Sequence, residues 1–239
     1  MDVKNKVVMI TGASSGIGAA TARAASRAGA RLVLAARREE RIADLADELG
    51  RSVAVRCDVT DQAEVGSLVD AALGAFGRID VLVNNAGQGL QAGIEQISLD
   101  DFRAVLELNL VAPLAVMQAV LPAMRRQRAG SIVNVSSGTT FADVPGTGGY
   151  VASKIALERL SAIARNELDG TGIVVSTIIP FATSTEFLSS IRAGRADAEA
   201  MTAGAAFDSP EQVAEAILRL IESGEPRADL VPAAYGGTR

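Results

Sequence analysis

Histidine and tryptophan are absent from this chain of 239 residues. Without histidine there is no Ser-His-Asp hydrolysis and no imidazole acid–base chemistry, and a zinc site loses its usual nitrogen ligand, so no metal is expected. The single cysteine, Cys57, excludes an internal disulfide and is compatible with a reducing cytosol, so the expected location is cytoplasmic. Aromatic residues make up only 3%, which leaves Ala, Val, Leu and Ile to build the core. Net charge is −5, and the tightest basic group, Arg125, Arg126 and Arg128, is too sparse for a phosphate backbone; nucleic-acid binding is not expected. Long apolar runs are missing too. Val7 to Ile10 is too short for a signal-peptide core, and Leu108 to Met124 is interrupted by Asn109, Pro113, Gln118 and Pro122. A membrane span needs about 20 mostly apolar residues, so this stretch reads as a buried helix.

What is present alternates between strand and helix patterns. Lys6–Thr11 reads as a strand, followed by a Gly-rich turn and an Ala-rich helix to Ala28. Strands at Arg31–Ala36, Ser52–Cys57, Asp80–Val83, Ser131–Val135 and Ile173–Ile179 alternate with helices at Glu39–Leu49, Gln62–Phe76, Asp101 to about Gln127, and Gly149–Leu168. The long third interval is expected to bend or divide near Asn109–Pro113. Ser209 and Pro210 read as the N-cap and first position of a last helix, and a final strand is expected at Asp229–Pro232. Strands separated by helices of ten or more residues imply βαβ units and a parallel sheet. No long polar linker divides the chain, so residues 1–239 are expected to form one α/β domain.

Two features carry chemistry. Tyr150 and Lys154 lie four residues apart, on one helix face. Only two tyrosines and three lysines occur, against twenty arginines, so a lysine here is a departure from habit. A compact ammonium beside a phenol favours phenolate and draws the tyrosine towards useful proton transfer. The alternative is a surface pair at a helix end. The second feature is Thr11-Gly12-Ala13-Ser14-Ser15-Gly16-Ile17-Gly18, between the first strand and the first helix. Gly12 permits a tight turn, Gly16 a close backbone approach to a pyrophosphate, and Gly18 close helix–strand packing, while Ser14, Ser15 and Ile17 offer backbone N–H groups at the positive helix end. No Gly-Lys-Ser/Thr follows, so a nucleoside-triphosphate loop is not supported.

These motifs resemble those of the short-chain dehydrogenase/reductase family, over Lys6 to about Thr185. The Gly-rich turn has its spacing, Asp58 and Val59 follow the third strand, Asn84-Asn85-Ala86-Gly87 ends the fourth, and Ser137 precedes Tyr150 by thirteen residues. The resemblance implies a three-layer doubly wound Rossmann fold, with one parallel sheet of about seven strands and helices on both faces. It implies interconversion of a carbonyl and an alcohol by hydride transfer, with Tyr150 as general acid/base, Lys154 lowering its pKa and binding the nicotinamide ribose, and Ser137 polarising the carbonyl. Ser136 competes for that role, but adjacent strand-end residues point to opposite sides. The resemblance makes Asn109 a proton-relay asparagine; Pro113 cannot donate to its carbonyl, which leaves that oxygen for a water leading to Lys154, the alternative being an ordinary proline kink between packed helices.

Cofactor contacts follow from the same resemblance: Gly12, Ser14, Ser15, Gly16, Ile17 and Gly18 at the phosphates, Asp58 and Val59 at the adenine, and Asn85, Ala86, Gly87, Tyr150, Lys154, Pro180, Thr183 and Thr185 towards the nicotinamide. After the second strand, Arg37 and Arg38 stand where an acid would bind a ribose 2′-OH, so NADP(H) is preferred over NAD(H). Departures are Phe181 in place of a glycine and the lack of an Asp-Gly-Gly ending, which favours a homodimer through the long central helices over a tetramer. Gln88, Leu90, Phe141, Val144, Phe181 and Phe187 are candidates for an apolar substrate pocket, closed by a mobile lid at about 186–207. A catalytically silent NADP(H)-binding sensor or scaffold is the alternative function, with a related lyase or epimerase behind it.

Overall fold

A computed structural model of the chain describes residues 1–202 and 207–239. Seven strands form one parallel sheet: β1 (Val7–Thr11), β2 (Arg31–Ala36), β3 (Ser52–Arg56), β4 (Val81–Asn84), β5 (Gly130–Val135), β6 (Ile173–Ile179) and β7 (Arg227–Asp229), in the order β3-β2-β1-β4-β5-β6-β7. Every neighbouring pair is parallel. Chain order reverses direction between β1 and β4, and a ligand crevice forms at such a point, beyond the carboxyl ends of the strands.

Alternation within each strand divides the core in two. Val8, Ile10, Leu32, Leu34, Val81, Val83 and Val133 pack on one face with α1 (Gly16–Arg27), α2 (Glu39–Leu49) and α8 (Pro210–Ser223). Val7, Met9, Val33, Ala35, Leu82 and Ile132 pack on the other face with α3 (Gln62–Phe76) and α5 (Ala112–Gln127), flanked by α6 (Gly148–Glu167). Strands buried on both faces read as continuous apolar runs, which is why they stand out in the sequence. Ser209 and Gln212 close a reciprocal capping box at the start of α8, with Pro210 in the first turn.

Several expected boundaries shift. The fourth strand starts at Val81, because Asp80 is a fully buried carboxylate that accepts the Val7 N–H at 2.9 Å and binds the Arg78 guanidinium through both oxygens at 2.9 and 2.6 Å. The last strand is Arg227–Asp229 in place of Asp229–Pro232; its register is set by Thr177, Ile178 and Ile179. The third interval stays continuous as well. The helix α4 (Leu99–Leu106) runs into α5 through one π turn, Glu107–Val111, in which the Ala112 N–H reaches the Glu107 carbonyl. Pro113 has no N–H for Asn109, and the wider turn absorbs that loss without a break. Among the described residues, Leu99–Gln127 is long and apolar enough to cross a membrane by length and composition alone. Its Val105, Val116, Val120 and Met124 are buried against the rest of the molecule, as in a core helix.

Candidate active site

The ends of β1 and β4 are tied together before any ligand is considered. The Thr11 hydroxyl accepts the N–H groups of Asn85 and Ala86 at 3.0 and 3.1 Å, and Asn85 Nδ2 donates back to the carbonyls of Thr11 and Gly12 at 2.9 and 3.2 Å. The Asn85 side chain therefore holds the Gly-rich turn in place, and only its backbone faces the crevice. Gly16 has a φ of 53°, and a Cβ on it would sit 3.0 Å from Thr185 Cγ2. A Cβ on Gly18 would collide with the Gly12 carbonyl and approach Asn85 Nδ2 at 2.6 Å. Ser15 is the N-cap of α1 yet makes no side-chain cap, and the first turn holds no acid. That helix end keeps its N–H groups and positive potential for an anion.

Arg38, not Arg37, crosses the Gly-rich turn. Its guanidinium donates to Ser14 Oγ at 2.9 and 3.0 Å and to Ser15 Oγ at 2.6 Å. Arg37 is largely exposed and turns towards Asp58, 3.9 Å away. Burial pushes the Asp58 carboxyl up, but hydrogen bonds from the Thr60 hydroxyl and N–H, with Arg37 and Arg56 nearby, outweigh it and hold the group below the usual range. Asp58 is thereby fixed at the end of β3, with Val59 buried beside it. The sequence reading missed three partners here: Glu64, whose carboxylate accepts the Asp58 N–H at 2.6 Å; Arg41; and Glu186.

Tyr150 and Lys154 are both buried, on the first turns of α6. Lys154 Nζ donates to the Val135 carbonyl at 2.9 Å and lies 5.9 Å from the centre of the Tyr150 ring. Gly87 makes room at this point: a Cβ there would lie 3.4 Å from Lys154 Nζ and 3.2 Å from Asn109 Oδ1. Asn109 is fully buried; its amide spans the Gln88 N–H and carbonyl, both at 2.9 Å, and donates to Ser153 Oγ at 3.1 Å. Ser137 Oγ accepts from Thr139 N at 3.3 Å and Thr139 Oγ1 at 2.9 Å, and lies close enough to the Tyr150 phenol to lower its pKa. Accepting from the Thr139 N–H leaves the Ser137 hydroxyl free to turn its proton to the phenol oxygen or to a substrate.

The electrostatics differ from the sequence expectation. Burial pushes the Tyr150 phenol up to about 12, and the Ser137 hydrogen bond offsets only part of that. Burial lowers Lys154 to about 8, against the pull of the Glu158 carboxylate. In this state burial, and not the ammonium, dominates the tyrosine.

The pocket walls are divided as well. Leu90, Val105 and Tyr150 form one apolar cluster with Phe187 and Ala193, and the Phe187 ring lies 5.7 Å from that of Tyr150. Phe181 instead packs on Tyr235 at 5.2 Å, and Phe141 lies under the Arg227 guanidinium, so neither belongs to that cluster. Gln88 donates to the Ser190 carbonyl at 2.7 Å, the Arg192 N–H donates to the Gly89 carbonyl, and Arg192 Nε meets Asp101 at 2.6 Å. These bonds hold 187–193 against the loop after β4; residues 203–206 of the expected lid lie outside the described residues. Thr183 pairs with Asp208, the Pro180 carbonyl accepts the Gly138 N–H at 2.7 Å, and Thr185 lies against Gly16. Among the described residues no group of three His, Cys, Asp or Glu is placed to hold a metal.

A family model described as short chain dehydrogenase matches residues 6–196. An uncharacterized oxidoreductase of Staphylococcus saprophyticus is 40% identical over 189 residues, which cover 77% of this chain and 77% of that protein. A solved short chain dehydrogenase/reductase from Burkholderia phymatum, in complex with NAD, has a TM-score of 0.92 at 28% identity and covers 99% of this chain and 92% of its own. The closed form of a serine dehydrogenase complexed with NADP+ has a TM-score of 0.88 at 27% identity, covering 98% of each chain. Both nicotinamide cofactors thus occur among these solved neighbours.

Proposed function

The chain belongs to the short-chain dehydrogenase family and is an oxidoreductase of that family, and we propose that it interconverts an apolar carbonyl and its alcohol with NADP(H), using Tyr150 as general acid/base. The observation that carries this reading is the buried pair Tyr150 and Lys154, one helical turn apart on α6, with Ser137 beside the phenol. The uncapped N-terminus of α1, the backbone cradle at Gly16 and Gly18, and Arg38 across the turn fit the phosphates of a dinucleotide. Ser14, Ser15, Ile17, Ala86, Gly87, Pro180, Thr183 and Thr185 complete the proposed cofactor contacts.

When bound, NADPH supplies the hydride that reduces the carbonyl carbon. Tyr150 gives its phenolic proton to the carbonyl oxygen, and the Ser137 hydroxyl donates to that same oxygen as negative charge develops. Lys154, charged, stabilises the phenolate left behind and holds the nicotinamide ribose. Asn109 keeps the π turn against the loop after β4, and a water from its carbonyl to Lys154 returns the proton. Leu90, Val105 and Phe187 exclude water and set an apolar preference, with 186–207 as the lid. For its partner we propose a second copy of this chain, seated on the exposed Val111, Ile155 and Ile163 of the central helices. The lone, buried Cys57 suits a cytoplasmic location.

The test is Tyr150→Phe, assayed by NADPH oxidation against a panel of ketones. Turnover should fall by at least a hundredfold, on the order of what positioned proton transfer contributes, while NADPH binding by fluorescence is unchanged. A variant that keeps a tenth of the rate overturns Tyr150 as the acid. A wild-type protein that binds NADPH but turns over no carbonyl is the silent sensor instead. Equal dissociation constants for NADPH and NADH would overturn the cofactor preference.

A further inference from the structure

Three charged groups from distant parts of the chain meet above the Gly-rich turn. Arg38 Nη1 meets Glu186 Oε2 at 2.8 Å, and Arg41 Nη1 reaches both Glu186 oxygens, at 2.7 and 2.9 Å. Arg38 spans from that carboxylate to the hydroxyls of Ser14 and Ser15. The cluster is half-exposed, so solvent and solutes reach it. Ser14, Ser15, Gly16, Arg41 and Glu186 also line one open cleft of about 650 Å³, ample for a phosphoryl group to approach the Arg41 guanidinium and the two serines, while Arg38 is reached from solvent.

Two arginines, two hydroxyls and a helix N-terminus make an anion site, and here an internal anion is already in it. Arg38 and Arg41 lie one turn apart at the start of α2, so both can face a single ligand. A carboxylate offers them one charge and two oxygens. A phosphate monoester offers close to two charges and three oxygens, and binds guanidinium forks more strongly. The carboxylate contributes little in return, since half-exposed ion pairs are weak and screened by salt.

Resting on the NADP(H) reading above, we infer that Glu186 competes with the cofactor 2′-phosphate for Arg38 and Arg41, and so sets how strongly the protein discriminates NADP(H) from NAD(H). Arg41 becomes a second phosphate-recognising residue, reached only because α2 begins three residues after β2. A bound 2′-phosphate leaves Glu186 beside a like charge, and the carboxylate swings off. A 2′-hydroxyl gives no such competition and leaves the clasp as it is. Phe187, the next residue, packs on the Tyr150 ring, so the exchange also reports to the pocket.

Glu186→Gln tests this by fluorescence titration with NADPH and with NADH. The side chain keeps its size and loses its charge at an exposed position, so the fold is retained, as thermal melting checks. NADPH should bind tighter by on the order of fivefold, the worth of a weak surface pair, with NADH changed less than twofold. Arg41→Ala in the Glu186→Gln background should abolish the gain. Equal weakening of both cofactors would overturn the competition and make Glu186 a clasp over either one. Weakening confined to NADH would overturn it too, by making Glu186 a ribose ligand. The wild-type ratio of the two constants decides the NADP(H) preference separately: a protein that favours NADH, yet whose NADPH affinity rises on Glu186→Gln, loses the preference and keeps the competition.

Discussion

The Ser136 hydroxyl donates to the Glu158 carboxylate at 2.6 Å, across from β5 to α6. That bond ties Ser136 to α6 through Glu158, while the next residue, Ser137, lies by the Tyr150 phenol. Glu158 lies one helical turn beyond Lys154 and raises its pKa. One carboxylate thus engages Ser136 and opposes part of the loss of charge that burial imposes on Lys154.

Exchanging the two serines separately should distinguish positioning from chemistry. Ser137→Ala removes the hydroxyl aimed at the substrate oxygen and should lower kcat by on the order of 100-fold, comparable to loss of one oxyanion donor. Ser136→Ala should cost about 1.5–3 kcal/mol of stability from the lost bond to a charged acceptor, with kcat reduced far less. Steady-state kinetics and urea unfolding of both variants check this, and equal losses of kcat would merge the two roles.

The parallel sheet, the Gly-rich turn and the Tyr150/Lys154 pair are legible in the sequence because each depends on neighbours within a few positions. Continuous apolar runs mark the strands, which are buried on both faces, and glycine at fixed offsets marks the turn. Asp80 was harder to place: a carboxylate before Val81 looks like strand, but it accepts the Val7 N–H from 73 residues away. Pro113 announces a disturbance, while the choice of a π turn over a break comes from the packing of Asn109 against Gln88 and Ser153. The meeting of Arg41 with Glu186, 145 residues apart, leaves no local trace at all. The high tyrosine pKa was equally hidden, since an i,i+4 lysine suggests a lowered phenol and only burial reveals the opposite.

Lys154→Arg preserves a charge the chain otherwise supplies with arginine. The site has little room for it: Lys154 is 4% exposed and its ammonium is fixed on the Val135 carbonyl at 2.9 Å. A longer planar fork cannot reproduce that point contact. A displacement of about 1 Å costs on the order of 100-fold in rate, so kcat should collapse while circular dichroism stays native. Near-normal kcat would make the lysine merely a buried cation.

Asp80→Ala addresses stability without touching the crevice, because Asp80 precedes β4 and the site lies beyond its other end. The change strands the Val7 N–H and the Arg78 guanidinium. Removing one partner of a buried pair costs about 3–5 kcal/mol; Arg78 is 39% exposed, so water rescues part and about 2–3 kcal/mol is expected. Urea unfolding should show the loss, with NADPH affinity of the folded protein unchanged. A stability within 0.5 kcal/mol of wild type, the spread of neutral surface changes, would show the pairing to be idle.

The pH profile of carbonyl reduction separates the two buried groups. Tyr150, raised to about 12 by burial, keeps its proton over the whole assay range and remains able to donate. Lys154, lowered to about 8 by burial, loses its charge within that range. The rate under kcat/KM conditions should therefore be flat below about 8 and fall tenfold per unit above it. Unfolding does not mimic this limb. Between about 8 and the ordinary lysine value of 10.5 the unfolded chain binds more protons at Lys154 than the folded one, so that group's contribution to stability rises with pH. Glu158→Gln removes the charge that holds Lys154 up and should move the midpoint to lower pH, with thermal melting used to confirm that the variant is folded. A profile whose midpoint ignores Glu158 would assign the limb to another group and remove Lys154 from control of the rate.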